Sequence, residues 1–571
     1  MSKPRRHGYG FSNTSKSQPS RKKPAQSSAG QSSKEQQADS LINQGKFQEA
    51  EAIYRELISA GTVNHIVYGN LAAICLMQSR HDKSIPLLRK ALQLKPNYPE
   101  AHNNLGVALK EQGDLTAAIA SYKNALQLKP NHPEAHNNLG TALKEQGDLN
   151  AAIASYNNAL QLKPNHPETH YNLGVALQEQ GDLDEALINH KRALELDPKN
   201  SKAFYGIGLV QAVQGNLKDS KNSFLKSIEL NPSNTAALLE LSRNIESIED
   251  SNKLVRKLDG ITRAGFNKRE ESMLEFAAAN LHHNSKNYTN AALCLSRANK
   301  LKLSYYPSNL SKCLLQTKQI MELAKRIVAG EPSEGEGRIF IVGAPRCGST
   351  LLESALSTDP NTRDLGESRA LGQAFEAIMD KISPKEDLPS LSEEYIEKIK
   401  DTLSTKAYTI DKNLYNFRYI EAIARAMPSA RIIHCRRHPL DNILSMLRSN
   451  LQAGNNYTSD PLDAAMFLIH QEEVMTRFKH KYEKHIFTFD YDAFVSNPEK
   501  TLQPLIDWLG LEWNEKYLHP EMNNRLINTA SVIQARQPIT RKSVGGWKNY
   551  RELLKPAEEA LIKSGIFNLK I

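Results

Sequence analysis

No stretch of this 571-residue chain approaches the ~18 consecutive apolar residues that span a bilayer, and its N-terminus has no apolar signal core. A soluble protein, not exported by the usual signal, is expected. Cysteine is scarce. Cys75, Cys294, Cys313, Cys347 and Cys435 are odd in number, scattered, and show neither disulfide nor zinc spacing. The expected setting is a reducing cytoplasm, and no metal is expected. Acid is missing from residues 1–34, which hold eight Lys/Arg, so the net charge of +10 leaves only +2 for the remainder. A nucleic-acid surface on the folded part is therefore not expected. The tail is too poor in apolar residues to fold alone and reads as disordered.

What is present is a period. Pro96, Pro130, Pro164, Pro198 and Pro232 are each 34 residues apart, as are Gly106, Gly140, Gly174 and Gly208. That spacing is the signature of tetratricopeptide repeats. Each unit fits two helices: Pro99 to Gly113 forms the first, and Asp114 caps a second ending at Leu128. Small residues sit where the helices must approach closely. The expected organisation is a basic tail over 1–34, repeats over 35–234, a helical connector with a degenerate repeat over 235–330, and a different domain over 338–571. The polar, turn-rich stretch from Gly330 to Gly337 marks the break.

Beyond Arg338, apolar runs at 339–343, 407–411, 431–435 and 485–490 alternate with helical stretches near 349–357, 415–427, 440–450, 461–478 and 498–509. Such alternation predicts an α/β domain with a parallel sheet and ligands at the carboxyl ends of its strands. The first strand runs into Gly343-Ala344-Pro345-Arg346-Cys347-Gly348-Ser349-Thr350, a Gly-rich turn whose N–H groups suit an anion. The spacing is that of a phosphate loop, yet Ser349 stands where an ATP or GTP loop carries Lys. Arg346 lies inside the loop instead. A nucleotide without a β/γ triphosphate arm is implied.

A second constellation follows the strand 431–435. Arg437-His438-Pro439-Leu440-Asp441 turns into a helix carrying Ser445, where an Arg and a hydroxyl can hold another phosphate. Together these segments resemble the sulfotransferases that use 3′-phosphoadenosine 5′-phosphosulfate (PAPS). Residues 338 to about 550 are most similar to the tyrosylprotein sulfotransferase branch and to bacterial tetratricopeptide-repeat sulfotransferases.

The resemblance implies roles residue by residue. Arg346 falls on the loop arginine that contacts the sulfuryl group, and Gly348, Ser349 and Thr350 fall on phosphate-cradling positions. Glu367, 21 residues beyond Arg346, matches the catalytic glutamate, and Lys412 matches the lysine that steadies the bridging oxygen. Arg437 and Ser445 match the 3′-phosphate ligands. Tyr491 and Ser531 match further cofactor contacts. The departure is Gly546, where the family more usually presents Lys or Arg; Lys542 or Lys548 are the candidate substitutes. Chemically the set suffices without a metal: a carboxylate accepts the acceptor's proton while cations offset charge on the transferring and leaving oxygens.

Asn70, Asn104, Asn138 and Asn172 recur at the same 34-residue spacing. They match the asparagine ladder that grips peptide backbone in the similar repeats of O-GlcNAc transferase, and so are candidate peptide contacts. Near identity of residues 99–132 with 133–166 offers the plainer reading of recent duplication. Arg369 is an acceptor contact or a surface charge. The expected protein is a PAPS-dependent sulfotransferase acting on a protein tyrosine recruited by the repeats. A sulfotransferase acting on a carbohydrate or lipid hydroxyl, a scaffold whose nucleotide domain has lost turnover, and a nucleotide kinase or NTPase remain as alternatives.

Overall fold

The computed structural model describes residue 11 and residues 29–245, 247–380, 390–400, 407–451, 454–523 and 537–569. Two compact units are present, Met1–Val210 and Gln211–Ile571. The division precedes the edges expected at 234 and 330.

The first unit is a stack of helix pairs. Ala29–Asn43 and Phe47–Ser59 are followed by His65–Met77 and His81–Leu94, and then by three close copies, of which Pro99–Glu111 with Leu115–Leu128 is the first. Pro99, Pro133 and Pro167 open their helices, where a missing N–H costs nothing. Asp114, Asp148 and Asp182 cap the second helices by accepting from backbone N–H groups. The helices of a pair touch through a glycine: a Cβ on Gly106 would lie 2.6 Å from the ring of Tyr122, itself wholly buried. Gly140 and Tyr156 repeat the contact.

The second unit holds a five-stranded parallel sheet in the order β2-β3-β1-β4-β5, with β1 Arg338–Gly343, β2 Thr362–Asp364, β3 Tyr408–Asp411, β4 Arg431–Arg436 and β5 Ile486–Asp490. Both faces are covered. Phe340 and Val342 enter one hydrophobic layer, while Ile339 and Ile341 enter the other. Such two-sided burial is why the strands read as unbroken apolar runs. From β1 the chain goes to one side of the sheet, and β4 and β5 lie on the other. The carboxyl ends of β1 and β4 therefore flank the switch point where open α/β sheets bind ligands.

The connector is part of this core. Leu295, Ala298, Cys313 and Ala324 share a cluster with Phe340, Phe417 and Leu447. The glycine-rich stretch ahead of β1 is packed against the sheet unit rather than extended as a spacer. Gly330 N–H donates to the Arg425 carbonyl at 2.9 Å, and a Cβ on Gly337 would stand 2.2 Å from the Ala407 carbonyl oxygen. Among the described residues no helix is long and apolar enough to cross a membrane.

Candidate functional site

In-register pairing places Gly343, the last residue of β1, beside Cys435 of β4, so the turns that follow the two strands lie side by side. The first turn leads into the helix Ser349–Leu356, with Ser349 and Thr350 buried at its N-terminus. Arg346 has φ 68°, a left-handed backbone that non-glycine residues seldom adopt. This conformation turns the guanidinium toward the second motif, where its Nε donates to Ser445 Oγ at 3.2 Å. Burial, then the nearby cations Arg437, Arg243 and Arg448, lower Arg346 to about 10. Gly348 has φ 100°, and a Cβ there would stand 2.1 Å from the Tyr491 ring. The ring and the loop backbone are thus in direct contact.

Arg437 lies across the Tyr491 ring at 4.9 Å and donates to the Ser543 carbonyl at 2.6 Å. Its Nη1 reaches the Arg346 carbonyl at 3.5 Å, and Tyr491 Oη shares a hydrogen bond with Ser543 Oγ at 3.3 Å. The structure thus brings Arg346, Arg437, Ser445 and Tyr491 together. Ser531 lies outside the described residues.

Lys412 follows β3 and is wholly buried. Its Nζ donates to Glu367 Oε1 at 2.9 Å and stands 3.7 Å from Glu353 Oε2. Glu367 itself is open to solvent, its side chain 59% exposed. A carboxylate that is anchored at one oxygen and accessible from solution can take a proton from an incoming hydroxyl. The backbone sets the pair: Lys412 N–H donates to the Gly366 carbonyl at 2.9 Å, and Asn413 Nδ2 to the Ser368 carbonyl at 2.7 Å. Arg369 is exposed two residues from Glu367. Asp411 points elsewhere, to Tyr395 and Asn416, and burial raises its carboxyl to about 7.

Several site residues were not assigned from the sequence. Asp441 accepts from Gly545 N–H at 2.6 Å and Trp547 N–H at 2.9 Å, tying the C-terminal Gly-Gly-Trp segment to the second motif. Its position in Arg-x-Pro-x-Asp was the available signal. Asn442 Nδ2 donates to the Pro345 carbonyl at 2.6 Å and so pins one turn to the other. Asp492 accepts from His438 N–H at 2.6 Å. Glu353 was legible only as the one charged residue of the helix Ser349–Leu356. Lys542 and Lys548, the candidate substitutes for Gly546, are both exposed.

Of the four asparagines expected to face a peptide, Asn70 and Asn104 are buried, while Asn138 and Asn172 are partly exposed. Asn70 is wholly buried and donates to Tyr54 Oη at 3.1 Å, and Asn104 is buried. Asn138 donates to Asn103 Oδ1 at 3.0 Å and Asn172 to Asn137 Oδ1 at 3.1 Å. These amides bind neighbouring repeats to one another. Burial rather than display is the physical reason that Asn70 and Asn104 do not line a groove.

The class follows from sheet and turns. Residues 338–515 match the sulfotransferase family, and residues 74–200 match tetratricopeptide-repeat models. The chain thus carries tetratricopeptide repeats followed by a sulfotransferase domain. An uncharacterized protein of Aquifex aeolicus (strain VF5) is 26% identical over 48% of this chain and 39% of its own length. The chain therefore spans about two fifths of that relative. Protein-tyrosine sulfotransferase 1 of Danio rerio is 21% identical over 37% of this chain and 65% of its own. A Caenorhabditis briggsae protein provisionally named a protein-tyrosine sulfotransferase is 23% identical over 38% of this chain and 82% of its own.

Proposed function

We propose that this chain transfers a sulfuryl group from PAPS to an acceptor hydroxyl, with a protein tyrosine as the acceptor and the repeats as the recruiting module. The observation that carries the reading is the Glu367–Lys412 pair, an accessible carboxylate on a buried ammonium, set in the same sheet unit as two adjoining cationic turns. PAPS supplies an activated sulfuryl group and two phosphate-type anions. The turn Gly343–Thr350 suits the 5′ end, Arg437 and Ser445 suit the 3′ end, and Tyr491 and Ser531 are further cofactor contacts. Fit is supported by the cations themselves: Arg346 donates to Ser445 Oγ and Arg437 reaches the Arg346 carbonyl, so two guanidinium groups lie close together, an arrangement that favours a bound anion.

Glu367 accepts the acceptor's proton as the acceptor oxygen bonds to sulfur. With PAPS bound, Lys412 would steady the oxygen that keeps the electron pair of the broken S–O bond, and Arg346 would offset charge on the transferring oxygens. Two relatives bearing the tyrosine-sulfating name support the acceptor class. Five free, buried cysteines suit a reducing cytoplasm.

Gly546 favours a second reading, a domain that binds nucleotide without turnover, since Lys542 and Lys548 both face solvent. Calorimetric titration with 3′,5′-ADP in EDTA, beside Mg-ATP, tests the site; transfer from radiolabelled PAPS to tyrosine and serine peptides and to glycans tests the reaction. Tight metal-independent binding with tyrosine labelling is expected. Binding without any transfer would favour the second reading, and preference for Mg-ATP would overturn both.

A further inference from the structure

The helix Pro439–Arg448 carries Ser445 toward Arg346 and follows directly on Arg437, so its placement sets the second anion site. Its other end is a problem. The last carbonyls of a helix have no intrahelical donor, and the chain that follows must find partners for its own. Ser449 N–H meets the Met446 carbonyl from within the chain, and further donors come from side chains of the connector. Asn299 Nδ2 donates to the Leu447 carbonyl at 3.0 Å. Arg243 Nη2 approaches the Ser449 carbonyl at 3.4 Å, and Lys302 Nζ the Leu451 carbonyl at 2.5 Å. Asn309 Nδ2 donates to the Gly454 carbonyl at 2.7 Å, while its Oδ1 accepts from Tyr457 N–H at 3.2 Å.

Two of these donors are cations, the sign that suits a helix C-terminus. Lys302 is the more telling. It is 2% exposed, burial lowers it to about 8, and among the described residues no carboxylate pairs with it. A buried ammonium of this kind is costly unless its donors are used. The backbone beyond the helix is what uses them. Ser449 Oγ in turn donates to the Ser445 carbonyl at 2.6 Å, which joins the clamped segment to the residue facing Arg346.

We propose that Arg243, Asn299, Lys302 and Asn309 are positioning residues for the second anion site: from the connector they fix the carboxyl end of the helix Pro439–Arg448 and the chain after it, and thereby hold Ser445 and Arg437 at one place for a phosphate. The inference rests on the nucleotide reading above and deepens it. The segment 235–330 then serves nucleotide recognition as well as linkage. None of the four residues touches the nucleotide; each acts through the backbone it holds.

The test compares two probes on the full chain, 3′,5′-ADP and 5′-AMP, which differ in the 3′-phosphate alone. Lys302→Met and Asn299→Leu keep side-chain size and remove the donors. Each is expected to weaken 3′,5′-ADP by about tenfold while leaving 5′-AMP within about twofold, and Lys302→Arg is expected to recover most of the loss. Asn309→Leu, at a partly exposed position, provides the same readout if Lys302→Met does not fold. Equal weakening of both probes, or no change in either, would overturn the positioning role. Failure of the unaltered chain to prefer 3′,5′-ADP over 5′-AMP would overturn the nucleotide reading itself, and the role with it.

Discussion

The repeat unit and the sheet unit treat charge in opposite ways. In the repeats, ion pairs run between neighbours at the surface: Lys129 with Glu100, Lys163 with Glu134, and Lys144 with Glu179, all with partly exposed partners. Pairs of that kind contribute about 0–1 kcal/mol each and recur because the repeats recur. In the sheet unit the cations are withdrawn from water and drawn together. Lys412 is buried against two glutamates, and Arg437 reaches the backbone carbonyl of Arg346, whose own side chain donates to Ser445. Charge at a surface tolerates change; charge gathered under cover marks a site.

The sharpest way to break this contrast is Glu367→Gln. Loss of the accessible carboxylate should lower sulfuryl transfer by about a thousandfold while 3′,5′-ADP binding persists, measured by single-turnover labelling beside calorimetry. A variant that transfers normally would remove Glu367 from the chemistry.

The largest expected effect in the repeats comes from His190, wholly buried with neither ring nitrogen hydrogen-bonded among the described residues. Burial lowers it to about 4 from an ordinary value of 6.5. Between those values the unfolded chain binds the proton and the folded one does not, so stability falls as pH drops through that window and is unaffected above it. His190→Phe, which copies Phe224 one period on, should remove an acid sensitivity on the order of 3 kcal/mol, read as the change in unfolding between pH 7 and pH 4.5. Equal acid sensitivity in both forms would show that the site relaxes around the charge.

Gly106→Ala, driving a methyl into the Tyr122 ring, should cost about 2 kcal/mol in thermal unfolding of the repeats with nucleotide binding unchanged. Coupled loss of both would mean that the units do not act separately. Smallest of all, Asn138→Ala should cost about 1 kcal/mol by removing its bond to Asn103, again in thermal unfolding.

The contrast also explains what was legible. A 34-residue period betrays helix pairs because one solution is written several times, and β1, β3, β4 and β5 were visible as apolar runs because both faces are covered. The strand Thr362–Asp364 was not: three residues that include an exposed Arg363 carry no pattern. The helix expected over 415–427 begins instead as a 3-10 turn, Leu414–Tyr419, started by Asn413. Arg346, Glu367 and Lys412 were assigned through the resemblance of the short motifs that carry them. Arg243, Asn299 and Lys302 were not, since their partners are backbone carbonyls some 150 to 200 residues away, and a carbonyl has no letter in the sequence. The burial of Asn70 and Asn104 was hidden for a related reason: periodicity records that a residue recurs and is silent on whether it faces solvent or its own copy.

That last property gives the amide bonds between repeats a meaning of their own. Asn138 reaches back 35 residues to Asn103, and Asn172 reaches back 35 to Asn137, so the same bond closes consecutive seams. Removal of the copy 133–166 would set Asn172 against Asn103, and the seam that remains would still find its partner. Within those near-identical repeats, copy number can change while the seam bond is kept.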